Sequence, residues 1–398
     1  MQRALRITVL AMMLCATAGA MAQVSATPVL SDKQVAEGWI ALFDGETSFG
    51  WTPAGDARWS CGGGVIQVTS GGVGALKTNT HFSDFVLSLE FWADKTASAG
   101  VAVRGPGAGV VTETNSYLIR IGDSNVRWPT GSVAGLLKSE PRRPTAERWT
   151  PLEIRCEGNR LEVRLDGRPG ARLRNDVLKS GSVALVYGGS GTIRFRNIRL
   201  QPLSTQPLFN GKDLTGWKTV EGTQATYSVT REGWLNVRNG RGDLQTVGAY
   251  GDFVLQMEII SHGEHLNSGV FFRANPGGFW SGYEVQIRNQ WVGDNRAEPV
   301  DYGTGGIYNR QPARKVVAND NEWFVLTLVA HGSHIATWVN GYQVTDFVDT
   351  RPVDQTNARR GTRTAAGVIS IQGHDPTTNL SFRNIRIAEF PAQVTPKQ

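Results

Sequence analysis

The sequence predicts an all-β protein built as two tandem β-sandwich or jelly-roll domains, and three observations carry that prediction. First, the 398 residues include 47 Gly, 17 Pro and 12 Trp, with only 19% charged. Such a composition suits short strands and tight turns, whereas coiled coils and helical solenoids are rich in Glu, Lys and Ala. Second, the period is two. Phe253, Leu255, Met257 and Ile259 alternate with Val254, Gln256, Glu258 and Ile260, and Leu152, Ile154 and Cys156 alternate with Glu153, Arg155 and Glu157. That alternation marks strands with one buried face. Third, the chain contains two copies of one unit, in keeping with ~100–200 residues per domain.

Taken from the N-terminus, Met1–Ala22 reads as a secretory signal. Arg3 and Arg6 precede an apolar run from Ile7 to Cys15, and Ala20-Met21-Ala22 forms the cleavage site. The run is too short to span a bilayer well, and no later segment reaches ~18 apolar residues. A periplasmic or secreted protein without membrane insertion is expected. Leu14 before Cys15 disfavours lipidation. Cys61 and Cys156 remain after cleavage. An oxidising compartment permits them to pair, and two free thiols are the alternative. The 41 basic and 35 acidic residues are spread along the chain without a Lys/Arg-rich tract, so a nucleic-acid partner is not expected.

The repeat pairs Leu42-Phe43-Asp44-Gly45…Gly50-Trp51 with Leu208-Phe209-Asn210-Gly211…Gly216-Trp217. Asp84–Glu90 (DFVLSLE) matches Asp252–Glu258 (DFVLQME), and Gly100–Arg104 matches Gly269–Arg273. Tyr117–Ile121 matches Tyr283–Ile287, Trp149 matches Trp323, and Asp166-Gly167 matches Asn340-Gly341. Phe195-Arg196-Asn197-Ile198-Arg199 closes the first copy as Phe382-Arg383-Asn384-Ile385-Arg386 closes the second. The expected domains are 37–200 and 207–391, joined by the short polar segment Gln201–Pro207. Glu157-Gly158-Asn159 and His331-Gly332-Ser333-His334 fall between strand-like runs, as hairpin turns do. A unit of many strands with Gly-rich turns closes most naturally as two packed antiparallel sheets.

These motifs, with Asn267-Ser268-Gly269-Val270-Phe271-Phe272-Arg273, Gly282-Tyr283-Glu284-Val285-Gln286-Ile287 and Gln372-Gly373-His374, resemble the 3-keto-disaccharide hydrolase family, long known as domain of unknown function 1080. The resemblance covers the chain after about Glu37, once per domain. It is strong in the second copy, while the first keeps only the scaffold half of the pattern. Family members commonly carry an acidic residue where this chain has Gly373. The resemblance implies two tandem concanavalin-like jelly-roll β-sandwich domains, export from a bacterium and a saccharide substrate. It also implies a hydrolase or lyase that cleaves 3-keto glycosides. A C3 ketone makes the C2 proton acidic, so a base removes it, the C1 substituent is eliminated and water adds. That route needs a base, support for an enolate and an acid for the leaving oxygen, not the two flanking carboxylates of an ordinary glycosidase.

Duplication supplies an internal control for the site. Glu284 aligns with Leu118, His374 with the Gly188-Gly189 region and Asn267 with Ser98, whereas Arg273 and Tyr283 recur as Arg104 and Tyr117. The second domain is therefore the expected catalytic one and the first a degenerate shell. Glu284 or His374 is the expected base, and Arg273 the expected enolate partner. Asn267, Tyr283, Gln286 and Gln372 are expected to bind the sugar, with Trp280 and Trp291 as stacking surfaces. The residues fix no cofactor; a divalent ion held by Glu284 and His374 could take over the enolate role. Trp217, Trp323 and Trp338 read as core. His331 and His334 read as a surface hairpin tip, and Arg351, Arg359, Arg360 and Arg363 as a solvated basic loop. His262 and His265 have H-x-x-H spacing in a Gly-containing loop, not on a helix that would aim both at one metal. The competing reading is a lectin-like module that binds glycans without turnover.

Overall fold

The computed structural model describes residues 29–123, 127–140 and 143–391; the signal segment Met1–Ala22 lies outside them. Strands dominate, and the α-helix is the short Asp32–Ala36, capped by Ser31 and Gln34. No described helix is long and apolar enough to cross a membrane. The chain folds as jelly-roll sandwiches of curled antiparallel sheets.

In the first copy the long strand Val65–Phe82 passes through both layers. It pairs Ile193–Pro202 near its start and Gly181–Tyr187 along the rest. In the second copy the corresponding stretch is broken into Leu235–Arg238 and Gly242–Thr246, with Asn239 and Gly240 at positive φ between them. One sheet of that copy then has the order Thr226–Val229, Leu235–Arg238, Asn379–Glu389, Phe253–Ser261, Phe324–His331, His334–Val339, Tyr342–Val348. The other runs Trp217–Thr219, Gly242–Thr246, Val368–Gly373, Ser268–Ala274, Tyr283–Ile287.

The repeated motifs are fasteners. Trp51 and Trp217 donate their indole N–H to the carbonyls of Leu42 and Leu208, closing the Phe-Asp/Asn-Gly…Gly-Trp loop in each copy. Asn197 and Asn384 sit at φ 54° and 52°, where a bulge shifts the register of the last strand. Asn and Asp tolerate that left-handed backbone better than other residues with a side chain. Each asparagine amide donates to a glutamate, Glu90 or Glu258, which also accepts from Arg196 or Arg383 at 2.8 Å. The arginine in turn lies over Trp149 or Trp323, 4.1 and 4.0 Å from the ring centres.

The two sandwiches share packing. Val254, Val329, Ala336 and Trp338 of the second copy belong to the apolar cluster of the first. Ala41 N–H donates to Gly341 O at 2.8 Å, and Trp338 Nε1 donates to Ala41 O at 3.0 Å. Trp217 and Trp338 are buried, as expected of core residues. Cys61 and Cys156 are free thiols, and full burial pushes the Cys156 thiol up to about 12.

Candidate functional site

Alternation fixes which side chains leave the core of the five-stranded sheet. Leu244, Ile369, Ile371, Val270, Phe272, Tyr283, Val285 and Ile287 face inward. Their neighbours Asp243, Gln245, Ser370, Gln372, Phe271, Glu284 and Gln286 therefore face outward. Register aligns them in rows. Asp243 stands opposite Gln372, and Gly269 opposite Gln286. Gln245 stands opposite Ser370, Ser370 opposite Phe271, and Phe271 opposite Glu284.

Glu284 occupies space that a glycine leaves free. A Cβ on Gly269 would stand 2.5 Å from Glu284 Oε1, so the carboxylate lies over the bare backbone of the neighbouring strand. Only 8% of the residue is exposed. Among the described residues no protein group donates a hydrogen bond to that carboxylate. Burial pushes its pKa up to about 8; the Arg359 charge opposes this, while Asp301 and Asp243 reinforce it. Glu284 is thus a carboxylic acid that keeps its proton near neutrality. A cavity of about 120 Å³ lies beside it, bounded by Phe271, Tyr308, Arg310, Ala358 and Arg359.

Asp243 is the second perturbed carboxyl. It is fully buried, and burial raises its pKa to about 7 against a hydrogen bond from the Trp280 backbone N–H at 2.8 Å and the nearby Ser370 hydroxyl. Trp280 adopts φ 48° to make that bond, an unusual backbone for a bulky residue. Its ring lies parallel to the His374 imidazole, 6° between planes and 6.0 Å between centres. Arg241 covers it at 4.5 Å. His374 Nδ1 is 2.8 Å from Asp375 Oδ2. A proton on Nδ1 in that contact leaves Nε2 as the accepting nitrogen.

Asp301 anchors the amides. Its Oδ2 accepts from Gln286 Nε2 at 2.9 Å and from Asn267 Nδ2 at 3.0 Å, and it pairs with Arg288 at 3.5 Å. Asp301 itself is held at φ 51°. Six buried side-chain polar atoms of this region find no hydrogen-bond partner among the described residues: Asp243 Oδ1, Asn267 Oδ1, Gln286 Oε1, Gln372 Oε1, Ser370 Oγ and Trp280 Nε1. Buried polar atoms are rarely left unmatched unless a ligand or solvent meets them. Acceptors and donors of this kind on one sheet face suit the hydroxyls of a sugar.

The structure thus gathers Glu284, Gln286, Gln372, Asn267, Trp280 and His374 on one side of the second domain. Three expected residues stand elsewhere. Arg273 is wholly buried at the strand end, donating to the carbonyls of Gly251, Gly332 and Arg363 and to Asp252 Oδ1. Arg104 makes the same four bonds in the first copy, to Ser83, Gly158, Leu178 and Asp84. Its donors are spent on the fold, so the expected enolate role does not fall to Arg273. Tyr283 points into the core, and its hydroxyl donates to Asp349 Oδ2 at 2.6 Å. Trp291 belongs to a two-stranded hairpin with 295–299, its ring covered by Arg296 at 4.1 Å.

Two surface expectations are also corrected. His331 and His334 lie at the contact between the copies: His331 meets the His81 ring at 4.5 Å, and His334 bonds Asp346 at 2.7 Å. In the basic loop, Arg351 pairs with Asp349, and Arg363 is buried. His262 contacts Ser381, and His265 contacts Asn289 O, so the two do not form one ligand pair. For a divalent ion, Glu284 and His374 stand without a third ligand. Among the described residues no three His, Cys, Asp or Glu side chains converge as a metal site requires.

In the first copy the same face is apolar. Ala75, Ala102, Leu118, Ala184 and Val186 occupy the positions of Asp243, Phe271, Glu284, Ser370 and Gln372, and they form an apolar cluster. Leu118 even lies over Gly100 as Glu284 lies over Gly269. Asp243, Asp301, Tyr308 and Arg359 escaped the sequence comparison. Asp243 was findable, because its partner across the copies is an alanine. Asp301 and Arg359 sit in connections that the first copy lacks in that form, so no alignment could flag them.

Among solved structures, a candidate glycosyl hydrolase from Parabacteroides distasonis ATCC 8503 is 23% identical, with a TM-score of 0.38, covering 47% of this chain and 94% of its own. The carbohydrate-binding module CBM66 from Bacillus subtilis is 18% identical, with a TM-score of 0.33, covering 44% and 97%. No curated protein matches the chain. Residues 38–201 and 204–388 each match the 3-keto-alpha-glucoside-1,2-lyase-like domain, and the chain therefore belongs to that family, with two tandem copies of its domain.

Proposed function

We propose that the second domain cleaves 3-keto glycosides by elimination across C1 and C2, followed by hydration, in a protein exported by its Met1–Ala22 segment. The observation that carries this reading is the Glu284 carboxyl, buried against Gly269 and protonated near neutrality. A neutral carboxylic acid in such a setting is a hydrogen-bond and proton donor toward a carbonyl oxygen. His374 Nε2, its ring oriented by Asp375, takes the C2 proton. The C2–H pair becomes the C2=C3 bond, and the carbonyl pair moves onto the C3 oxygen, toward Glu284. When that pair returns, C1=C2 forms and the C1–O bond breaks. The proton on His374 passes to the departing oxygen, so the base ends as it began. Water then adds, oxygen at C1 and hydrogen at C2, completing net hydrolysis. Gln286, Gln372 and Asn267 present their unmatched oxygens to ring hydroxyls, and Trp280 supplies an apolar ring beside the base.

The test is aglycone release from a 3-keto disaccharide. We expect turnover by the wild-type chain and loss of at least ~10²-fold in His374→Ala and in Glu284→Gln. Binding without turnover supports a lectin-like module instead. Equal turnover of the unoxidised disaccharide supports an ordinary glycosidase.

A further inference from the structure

The cavity beside Glu284 is lined by an exposed arginine, Arg359, that among the described residues enters no ion pair. Four arginines, Arg351, Arg359, Arg360 and Arg363, crowd the 349–367 connection, and Arg310 lies against it; three of these five are committed. Arg351 binds Asp349 through Nε at 2.9 Å and Nη2 at 2.6 Å. Arg363 is buried and donates to Asn275. Arg310 donates to the carbonyls of Asn309 and Arg359. Arg359 and Arg360 are exposed and, among the described residues, enter no ion pair; of the two, Arg359 reaches the site. It lines the cavity beside Glu284, and its charge is felt by both Glu284 and Asp243.

The backbone that carries Arg359 is, by contrast, clamped. Its carbonyl accepts from Arg310 Nη2 at 2.8 Å and from Arg351 Nη1 at 3.1 Å. Arg351 Nη2 also holds the carbonyls of Ala358 at 2.8 Å and Gly361 at 3.1 Å. Arg351 is in turn fixed by Asp349, whose side chain is wholly buried and accepts the Tyr283 hydroxyl. Burial alone would raise the Asp349 pKa, but hydrogen bonds from Arg351 and Tyr283 hold it well below the usual carboxylate range. A continuous chain of contacts thus runs from the core residue Tyr283 to the turn that presents Arg359. The first copy stops at its first link: Tyr117 donates to Asn175 at 2.7 Å, and the connection 175–180 is short and bears no counterpart of the arginine clamp. A solvated loop arginine needs no such bracing, since holding a turn in one geometry costs conformational entropy.

We propose that Arg359 is a catalytic residue that pairs with the anionic C3 oxygen of the substrate, and that Tyr283, Asp349 and Arg351 are positioning residues that hold it over Glu284. This rests on the elimination reading given above. As the C2 proton leaves, the carbonyl π pair becomes a lone pair on the C3 oxygen, and the Arg359 guanidinium faces that charge. When C1–O breaks, the pair returns to the carbonyl and the ion pair dissolves. Tyr283 acts through the loop, not on the sugar.

The experiment is proton NMR of a 3-keto disaccharide with the full chain in deuterated water. It reads exchange of the C2 proton and release of the aglycone separately. We expect Arg359→Gln to slow both by about 10²–10³-fold, the usual loss for a removed oxyanion donor, with KM changed only a few-fold. Arg359→Lys should retain more, and added guanidinium ion should restore part of the Arg359→Ala rate. Tyr283→Phe, checked for folding by circular dichroism, should lower kcat about tenfold. Wild-type rates of exchange and release in Arg359→Gln would overturn the assignment while leaving the elimination reading intact. An unchanged kcat in folded Tyr283→Phe would overturn the positioning chain. If the wild-type chain itself neither exchanges C2 nor releases aglycone, the reading of function falls, and the role of Arg359 falls with it.

Discussion

At the scale of single residues, Glu284 exacts a stability cost that can be measured apart from activity. Its pKa is raised by burial from 4.5 to about 8. Between those values the unfolded chain has lost the proton that the folded chain keeps. Stability therefore falls as pH rises from 4.5 toward 8, and the penalty persists above. Glutamine at 284 has the same shape without that penalty. Glu284→Gln is expected to be about as stable as wild type at pH 5 and more stable at pH 9, by a few kcal/mol in urea unfolding. A variant equally stable or weaker at pH 9 would show that the carboxyl is not desolvated as described. The same residue shows what sequence can reveal. Glu284 and His374 stood out because the first copy has Leu118 and glycines there. Arg273 and Tyr283 were misread, because family motif and catalytic role coincide in sequence, while their matching partners, Asp252 and Asp349, become visible only in space.

At the scale of elements, the motifs legible as repeats are those that build the sandwich. The Gly-Trp opening, the Asp-Phe strand start and Phe-Arg-Asn-Ile-Arg each take part in polar contacts that satisfy the backbone or a bulge in both copies. Strand pattern likewise assigned faces correctly, since Tyr283, Val285 and Ile287 alternate with Glu284 and Gln286. What stayed hidden was carried by the connections 288–323 and 349–367, whose shape follows from long-range hydrogen bonds and not from a period. One strand position tests the geometry directly. Gly269 has no positive φ, and the atoms a Cβ would meet all belong to the flexible Glu284 side chain. Gly269→Ala should therefore fold, with a melting temperature within a few degrees of wild type. Because the new methyl displaces the carboxyl, activity on a 3-keto disaccharide should drop at least tenfold. Full activity with alanine at 269 would mean that the resting place of Glu284 over this strand does not matter.

At the scale of the whole molecule, the first domain covers the outer face of the second domain's larger sheet, and histidines lie at the boundary. The His81 ring meets His331 at 4.5 Å, and His331 meets Phe390 at 5.1 Å. His334 pairs with Asp346, which also accepts from Asn79 of the first domain at 2.6 Å. The groups facing His81 are His331, His334 and Lys77, which oppose a second positive charge, and Asp252, which favours it. Burial is the largest influence, and together they lower the His81 pKa from 6.5 to about 4. Burial also lowers His331, against the attraction of Asp252. The sign follows from proton uptake: below pH 6.5 the unfolded chain binds protons that the docked histidines refuse, so stability is lost as pH falls toward 4. For His81 alone the shift corresponds to roughly 3 kcal/mol. Urea unfolding at pH 7 and pH 4.5 should show wild type losing more stability than His81→Gln, which cannot be charged. Equal losses in the two proteins would place the acid sensitivity in the carboxylates instead, and would leave the boundary between the sandwiches indifferent to pH.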